Sequence, residues 1–170
     1  MRGDDKADRL KETVEAAGGT VLEYVDTPIA DTSTRMGPLT TSLLQKYGDS
    51  WTHALAINDL YFDFMGPSLA AAGLDPEKGP QAGSAGDGSE AAFQRLRSGG
   101  YRAITVAEPL HLQGWPRVDE LKRAKQGEPC SGYITSPALV TEDGLAKLGD
   151  SNAFDPDIPY REAYKTIWAQ

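Results

Sequence analysis

The feature that most constrains the fold is a short apolar run that stops abruptly at two polar residues. Residues 54–57 read Ala-Leu-Ala-Ile, Asn58 and Asp59 follow directly, and a helix-like segment comes next. In a strand-then-helix unit, this order puts both polar side chains at the carboxyl end of a buried strand, where open α/β folds bind small ligands. Similar polar ends follow two later strand-like segments, at Asp87 and at Glu108. Polar residues at the ends of three successive strands predict one shared binding cleft.

The rest of the chain alternates between helix-like and strand-like segments. Apolar spacing predicts helices over residues 5–17, 38–47, 59–72, 89–98 and 109–126, with a short one in the tail. Strands are predicted over residues 20–25, 51–57, 81–85, 101–107 and 134–140. Gly66 and Pro67 are expected to kink the third helix or break it in two. The order predicts an α/β fold in three layers, with a mainly parallel sheet and helices on both faces.

Length and composition limit the kinds of partner. The 170 residues fit a single α/β lobe over residues 1–150 and a C-terminal tail with a short helix over residues 151–170. The formal charge of −8 argues against a nucleic-acid partner, which needs clustered Lys and Arg. No apolar run approaches the ~20 residues that span a membrane, and residues 1–5 do not open a secretion signal because no apolar segment follows them.

The polar residues at each strand end also have a purely structural explanation. Asn58 would cap the following helix and Asp59 would meet its positive end, and this explanation is at least as strong as ligand binding and compatible with it. Asp87 could belong to a simple turn, and Glu108 could be a solvated strand end. The glycines at 86 and 88 do not complete a dinucleotide fingerprint and no phosphate loop is present, so no cofactor is expected.

The sequence gives little support for catalysis or for metal binding. A nucleophilic enzyme would need Cys130 or a serine activated by His53 or His111, and no nucleophile-elbow pattern occurs. No His accompanies the carboxylates at metal-ligand spacing, and the single cysteine excludes an internal disulfide. We therefore assign no catalytic residue and no metal ligand, and we do not expect an enzyme.

An ordered set of short motifs resembles a known family. Residues 56–59 read Ala-Ile-Asn-Asp, residues 86–88 read Gly-Asp-Gly ahead of a helix, and residues 104–109 read Ile-Thr-Val-Ala-Glu-Pro. The following helix with Gly114 and residues 136–141 also fit. Together they resemble the C-terminal half of the sugar-binding proteins of ABC importers, the ribose-binding or type I periplasmic class. The resemblance spans nearly the whole chain.

The resemblance implies reversible, non-covalent capture of a sugar or polyol between two lobes joined by hinge strands. It implies a periplasmic or extracytoplasmic location, and an ABC transporter permease as the partner of the full-length protein. Asn58 and Asp87 would then hydrogen-bond ligand hydroxyls, and Asp59 is included in the ligand-binding set. Glu108 would lie near the ligand and the hinge, where the family usually has Gln or Asn.

Two family features have no direct counterpart in this sequence. The family often has an aromatic residue immediately before the Asp of the turn, to stack on the sugar ring, and this position is Gly86. The candidate substitutes are Trp51, Tyr61 and Trp115. The family's arginine near the start of this lobe has no clear match, and Arg2 is taken as the candidate.

Family members also carry an N-terminal lobe of comparable size, which the helix after Glu108 contacts. Without that lobe, residues 109–126 are expected to lie exposed, to swap between chains or to dock differently. An exposed face with Leu112, Trp115 and Val118 would be a homodimer contact. Because the N-terminal lobe would supply half of the contacts that close around the ligand, we expect the isolated chain to bind sugar weakly.

Two other functions compete with the transport hypothesis. The effector-binding domain of a LacI-type transcription regulator has the same fold, although the tail over residues 154–168 is more similar to the ends of sugar-binding proteins. A flavodoxin-like enzyme or signalling domain would need a phosphate loop, or an acidic phospho-acceptor cluster with a partnering Lys. Neither is evident in the sequence.

Overall fold

The computed structural model describes residues 3–169, which form one mixed sheet flanked by helices. The strands are β1 (His53–Ala56), β2 (Gln81–Ser84), β3 (Arg102–Ala107) and β4 (Ala138–Thr141). They lie side by side in chain order, with β1, β2 and β3 parallel and β4 antiparallel to β3. Helices connect the parallel strands, as parallel pairing requires. The predicted α/β class with a mainly parallel sheet is confirmed.

Seven α-helices accompany the sheet within residues 3–169. They are α1 (Gly3–Ala16), α2 (Thr32–Tyr47), α3 (Leu60–Ala71), α4 (Glu90–Arg97), α5 (Leu110–Gln126), α6 (Glu142–Leu148) and α7 (Tyr160–Trp168). No helix in this part of the chain is both long and apolar enough to cross a bilayer. The predicted helices correspond to α1 to α5 and α7, whereas α6 was not predicted.

Two apolar clusters hold the helices to the sheet. The first joins α2 and α3 to the sheet and contains Met36, Phe62, Met65, Leu69 and Ala82. The second joins α4 and α6 to the sheet and contains Phe93, Leu96, Ala107, Val140 and Leu145. Side chains alternate between the two faces of a strand, and the register places Ala82, Ser84, Thr105, Ala107 and Val140 on one buried face. The carboxyl ends of β1, β2 and β3 are therefore fixed relative to one another.

The strand predicted over residues 20–25 is wrong. These residues belong to no helix or strand, and the sheet begins at β1. Val21, Tyr24 and Val25 favour a strand by composition, but a strand exists only where a neighbour accepts and donates backbone hydrogen bonds. Among the described residues, no strand lies beside this segment.

Two helices differ from prediction at proline. α2 begins at Thr32, six residues before Pro38, because Thr32 and Met36 pack into the buried interior. Pro38 therefore lies inside the helix, not in its first turn. α3 runs unbroken from Leu60 to Ala71 with Pro67 inside it, since tertiary packing of Phe62, Met65 and Leu69 outweighs the lost hydrogen bond.

The C-terminal helix packs on α5 through aromatic rings. Trp115 of α5 stacks on Trp168 of α7 with centroids 5.2 Å apart, and Tyr160 and Tyr164 also contact the Trp115 ring. Trp168 Nε1 donates to Asp119 Oδ1 at 2.8 Å. Helix α5 therefore docks on the chain's own tail. The division at about residue 150 into lobe and tail remains a prediction.

This docking changes the surface expected of residues 109–126. Leu112 is buried, and Trp115 is half-buried against α7. Only Val118, of the three residues expected on the exposed face, has an exposed side chain, and Leu121 lies near it in the sequence with a larger exposed fraction. The expectation of one continuous exposed face with Leu112 and Trp115 is therefore wrong.

Candidate functional site

Three predicted site residues meet at the carboxyl edge of the sheet. Asn58 follows β1, Asp87 follows β2 and Glu108 follows β3. Asn58 Nδ2 donates to Asp87 Oδ2 at 2.5 Å, and the Glu108 backbone N–H donates to the Asp87 carbonyl at 3.1 Å. Asp87 is therefore hydrogen-bonded to both Asn58 and Glu108, and all three side chains are half-buried. Parallel strands end at the same edge, which is why residues so far apart in sequence come together.

Asp59 lies beneath this edge. Its side chain is only 1% exposed. Oδ2 accepts the backbone N–H groups of Gly88 at 2.8 Å and Ser89 at 3.0 Å, and Oδ1 accepts the hydroxyls of Ser84 and Thr105. A buried carboxylate is stabilised by such donors, and this one ties β1, β2 and β3 together. Its oxygens face the interior of the protein.

The turn after β2 holds Asp87 in an unusual conformation. Asp87 has a φ of 23°, and Gly88 has a φ of 71°. A Cβ at Gly88 would lie 2.4 Å from Ala107 Cβ, so only glycine fits there. A Cβ at Gly86 would lie 2.8 Å from the Ile57 carbonyl oxygen, so the aromatic residue found in the family does not fit at this position without a shift of the backbone. The packed turn fixes where the Asp87 carboxylate points.

A lysine from α1 reaches the same edge. Lys6 Nζ donates to the Ala85 carbonyl at 2.9 Å, and a Cβ at Gly86 would lie 3.3 Å from this nitrogen. Lys6 is thus a functional candidate that the sequence reasoning missed. Nothing local distinguishes it from other helix lysines, since its contact spans 79 residues of chain. The candidate named instead, Arg2, lies outside the described residues.

Glu108 connects the edge to the segment before β4. Gln113 Nε2 donates to Glu108 Oε2 at 2.9 Å and to Thr135 Oγ1 at 3.1 Å. The two residues also line an open groove of about 730 Å³ with Tyr133 and Ile134. One Glu108 oxygen is therefore held by α5, and the other receives no hydrogen bond from the residues that the structure describes. The same is true of Asp87 Oδ1.

The three aromatic residues considered as candidates for stacking on a sugar ring lie away from this edge of the sheet. Trp51 precedes β1, at the opposite end of the strand from Asn58, and donates to the His53 carbonyl. Tyr61 is buried, and its hydroxyl donates to the Thr27 carbonyl. Trp115 is stacked on α7. None of them can stack on a ligand at Asn58 and Asp87 in this arrangement.

The arrangement suits hydrogen bonding to hydroxyl groups. Asp87 and Glu108 are acceptors, Lys6 is a donor with three hydrogens, and the Asn58 amide can donate while its carbonyl oxygen accepts the Leu60 N–H at 2.9 Å. A sugar hydroxyl both donates and accepts. Within residues 3–169, no three His, Cys, Asp or Glu side chains come together as metal ligands.

Comparison with known proteins shows what this fold is similar to. No protein-family model and no curated protein matches the sequence. The fold is similar to an ABC transporter solute binding protein from Agrobacterium vitis with bound allitol, with 19% identity over 83% of this chain and 49% of that chain, and a TM-score of 0.69. It is also similar to the 5-methylthioribose transporter solute binding protein from Thermotoga lettingae in complex with 5-methylthioribose, with 17% identity over 95% and 55% of the two chains, and a TM-score of 0.66.

A third similar structure is a Caulobacter myo-inositol binding protein bound to myo-inositol, with 22% identity, a TM-score of 0.60, and 82% and 48% of the two chains covered. The chain therefore spans about half the length of these solved chains. Identities this low establish the fold alone. This protein has the fold of one lobe of the sugar ABC transporter solute-binding proteins.

Proposed function

We propose that this chain is the ligand-capturing lobe of a solute-binding protein that binds a sugar or polyol reversibly for an ABC importer. The observation that carries the proposal is the meeting of Asn58, Asp87 and Glu108 at the carboxyl edge of a sheet with this fold. Proteins of similar fold were solved with allitol, myo-inositol and 5-methylthioribose. These ligands are all rich in hydroxyl groups.

The proposal gives each side chain a separate role. Asp87 Oδ1 and Glu108 Oε1, which receive no hydrogen bond from the part of the chain that the structure describes, accept hydrogen bonds from ligand hydroxyls, and Lys6 donates one to a ligand oxygen. The Asn58 amide donates its second hydrogen. Asp59 holds the turn that presents Asp87 and does not touch the ligand, which revises the expectation that it binds ligand directly. Charged hydrogen bonds of this kind contribute about 1.5–3 kcal/mol each.

We also propose a partner and a cellular location for the full-length protein. The ligand would be passed to a transporter permease, and binding would take place in the periplasm or another extracytoplasmic space. Binding would involve no chemical conversion of the ligand. The charge of −8 argues against a nucleic-acid partner. No observation on the described residues favours the LacI-type alternative.

Homodimerisation through residues 109–126 also remains a proposal. Val118 and Leu121 are exposed on α5, while Leu112 and Trp115 contact other parts of the chain. An interface would therefore use the exposed side chains of Val118 and Leu121. Sedimentation equilibrium of the wild type and of Leu121→Glu would reveal such a dimer.

The experiment that tests the function is a thermal-shift and equilibrium-dialysis screen of sugars and polyols at millimolar concentration. We expect at least one of them to bind the wild type, and we expect Asp87→Asn and Lys6→Met to weaken that binding by about tenfold each, since each removes one charged hydrogen bond. The matched controls are Asp49→Asn, at the other end of the sheet, and Lys11→Met, on the same helix as Lys6. Equal loss of binding in the controls would contradict the assignment of the site.

A further inference from the structure

The carboxylates at and near the carboxyl edge of the sheet differ in how their negative charge is balanced. Asp59 accepts four hydrogen bonds in the interior, and Asp63 of α3 forms an ion pair with Arg95 of α4. Of the side chains that the structure describes, none forms an ion pair with Asp87 or Glu108. Two half-buried carboxylates at the proposed site therefore have no cationic partner in the described part of the chain.

Neutral amides orient these two carboxylates through one oxygen each. Asn58 Nδ2 donates to Asp87 Oδ2 at 2.5 Å, and Gln113 Nε2 donates to Glu108 Oε2 at 2.9 Å. Asp87 Oδ1 and Glu108 Oε1 receive no hydrogen bond from residues 3–169. An amide donor fixes the direction of a carboxylate but leaves its negative charge in place. The edge therefore offers two oriented oxygens that still carry their charge.

Lys6 balances at most one of these charges, and it lies on the side of the site that is away from Glu108. Its Nζ, the Ile57 carbonyl oxygen and Asn58 Cα all lie within 4 Å of the place where a Cβ on Gly86 would be. These neighbours put the ammonium group between the ends of β1 and β2. Glu108 follows β3, which pairs with β2 on the side opposite β1. One positive charge against two negative charges leaves the edge negative, most of all at Glu108.

A negative edge of this kind favours a ligand that carries a positive charge. A hydrogen bond between an ammonium group and a carboxylate is stronger than one between a hydroxyl and a carboxylate, because both partners are charged. Half-burial also reduces the screening of this attraction by salt. A ligand with its own carboxylate would instead be repelled by Asp87 and Glu108.

We propose, on the basis of the function proposed above, that the ligand of this chain contains a basic nitrogen and is an amino sugar or an amino polyol. Its ammonium group donates to Glu108 Oε1 in place of a hydroxyl, and its hydroxyl groups bond to Asp87 and Lys6. Glu108 is then the residue that determines specificity for the amine.

The test is a titration of the ¹⁵N-labelled chain with matched probes that differ in one functional group. The three sets are glucose, glucosamine and glucuronate; galactose, galactosamine and galacturonate; and glycerol, serinol and glycerate. At about pH 6.5 the amines are protonated and the carboxylates are ionised. Salt at about 0.15 M screens the overall charge of −8. In at least one set we expect the amine to bind about tenfold more tightly than the neutral probe, with amide shifts at residues 84–89 and 107–109.

The variant Glu108→Gln tests the assignment of specificity. It keeps the size of the side chain and removes its charge, so we expect the ratio of the neutral-probe Kd to the amine Kd to fall to about one. A merely structural role of Glu108 would change both Kd values together and leave their ratio unchanged. The matched control is Glu142→Gln, which removes the same charge at the opposite end of the sheet, because the neighbouring Thr141 pairs with Ile104 near the start of β3. This control should keep the tenfold ratio.

Four results would overturn the inference. Equal Kd values for the amine and the neutral probe, with shifts at this edge, would remove the preference for amines and leave the sugar-binding proposal standing. Tighter binding of the carboxylate probe would mean that Lys6 dominates the charge of the site. An unchanged ratio in Glu108→Gln would mean that Glu108 does not determine specificity. No shifts at this edge with any probe would overturn the inference and the sugar-binding proposal together.

Discussion

At the scale of single residues, Asp59 and Asp87 each follow a parallel strand but have different surroundings. Asp59 is enclosed and accepts hydrogen bonds from two backbone N–H groups and two hydroxyls, whereas Asp87 is half-buried and its Oδ1 receives no hydrogen bond from residues 3–169. A carboxylate that is saturated by interior donors stabilises the fold. A carboxylate with an open oxygen at a cleft can accept a ligand hydroxyl.

This difference predicts that the same substitution lowers stability by different amounts at the two positions. Asp59→Asn removes the charge and leaves an NH2 group facing backbone donors, so we expect it to lower the free energy of unfolding by about 2–4 kcal/mol. Asp87→Asn should lower it by less than about 1 kcal/mol, because solvent replaces the lost contacts. Urea denaturation of the two variants measures both values. Equal destabilisation would contradict the division of roles.

Gly88 makes a second prediction at this scale. Gly88→Ala forces a Cβ to within 2.4 Å of Ala107 Cβ at a φ of 71°, so we expect a loss of about 2–4 kcal/mol in stability or a failure to fold. Gly73→Ala is the matched control, since Gly73 has a φ of 75° with open space around it. That control should lose only about 1 kcal/mol. Comparable losses in urea denaturation would mean that backbone strain, not contact with β3, explains the requirement for glycine.

The sequence predicted part of this residue-level arrangement. Asn58, Asp87 and Glu108 could be placed at one edge because each directly follows a strand-like run. The interior role of Asp59 could not be distinguished from ligand binding, because both need a polar residue at the same strand end. Lys6 could not be found, because its place depends on how α1 crosses the sheet.

At the scale of elements, local preference predicted helices better than strands. α4 and α5 lie close to their predicted ranges because apolar spacing and Gly, Ser or Pro at the ends define a helix locally. The strand over residues 20–25 was wrong because pairing is not a local property. The start of α2 was wrong because burial of Thr32 and Met36 determines where that helix begins.

The pairing of α5 with α7 gives a prediction at the element scale. Trp168→Ala removes the ring stacked on Trp115 and the hydrogen bond to Asp119, so we expect α7 to detach while the sheet stays folded. Limited proteolysis should then cleave between residues 149 and 159 faster by about tenfold or more. Ile167→Ala, which truncates the exposed neighbouring residue, is the control and should leave the cleavage rate unchanged. Unchanged cleavage in Trp168→Ala would mean that other contacts hold the tail.

At the scale of the whole molecule, we propose that the chain supplies one side of a binding cleft. It spans about half the length of the solved chains to which it is similar. A few hydrogen bonds to hydroxyl groups, offset by the cost of removing water and immobilising the ligand, leave about −4 kcal/mol, which corresponds to a millimolar Kd. The expected affinity of the isolated chain is therefore weak, and low-micromolar binding of a sugar would contradict the assumption that the second lobe supplies half of the contacts.

The most direct measurement is a titration of the ¹⁵N-labelled chain with the polyol that binds best in the screen, followed by the amide chemical shifts. The account predicts saturable shifts with a millimolar Kd, confined to residues 57–60, 84–89 and 107–109 and to the first turns of α1. It also predicts that Asp87→Asn raises the Kd by about tenfold. Shifts centred on the opposite end of the sheet, around residues 48–52 and 77–81, or an unchanged Kd in Asp87→Asn, would contradict the assignment of the carboxyl edge as the sugar-binding site.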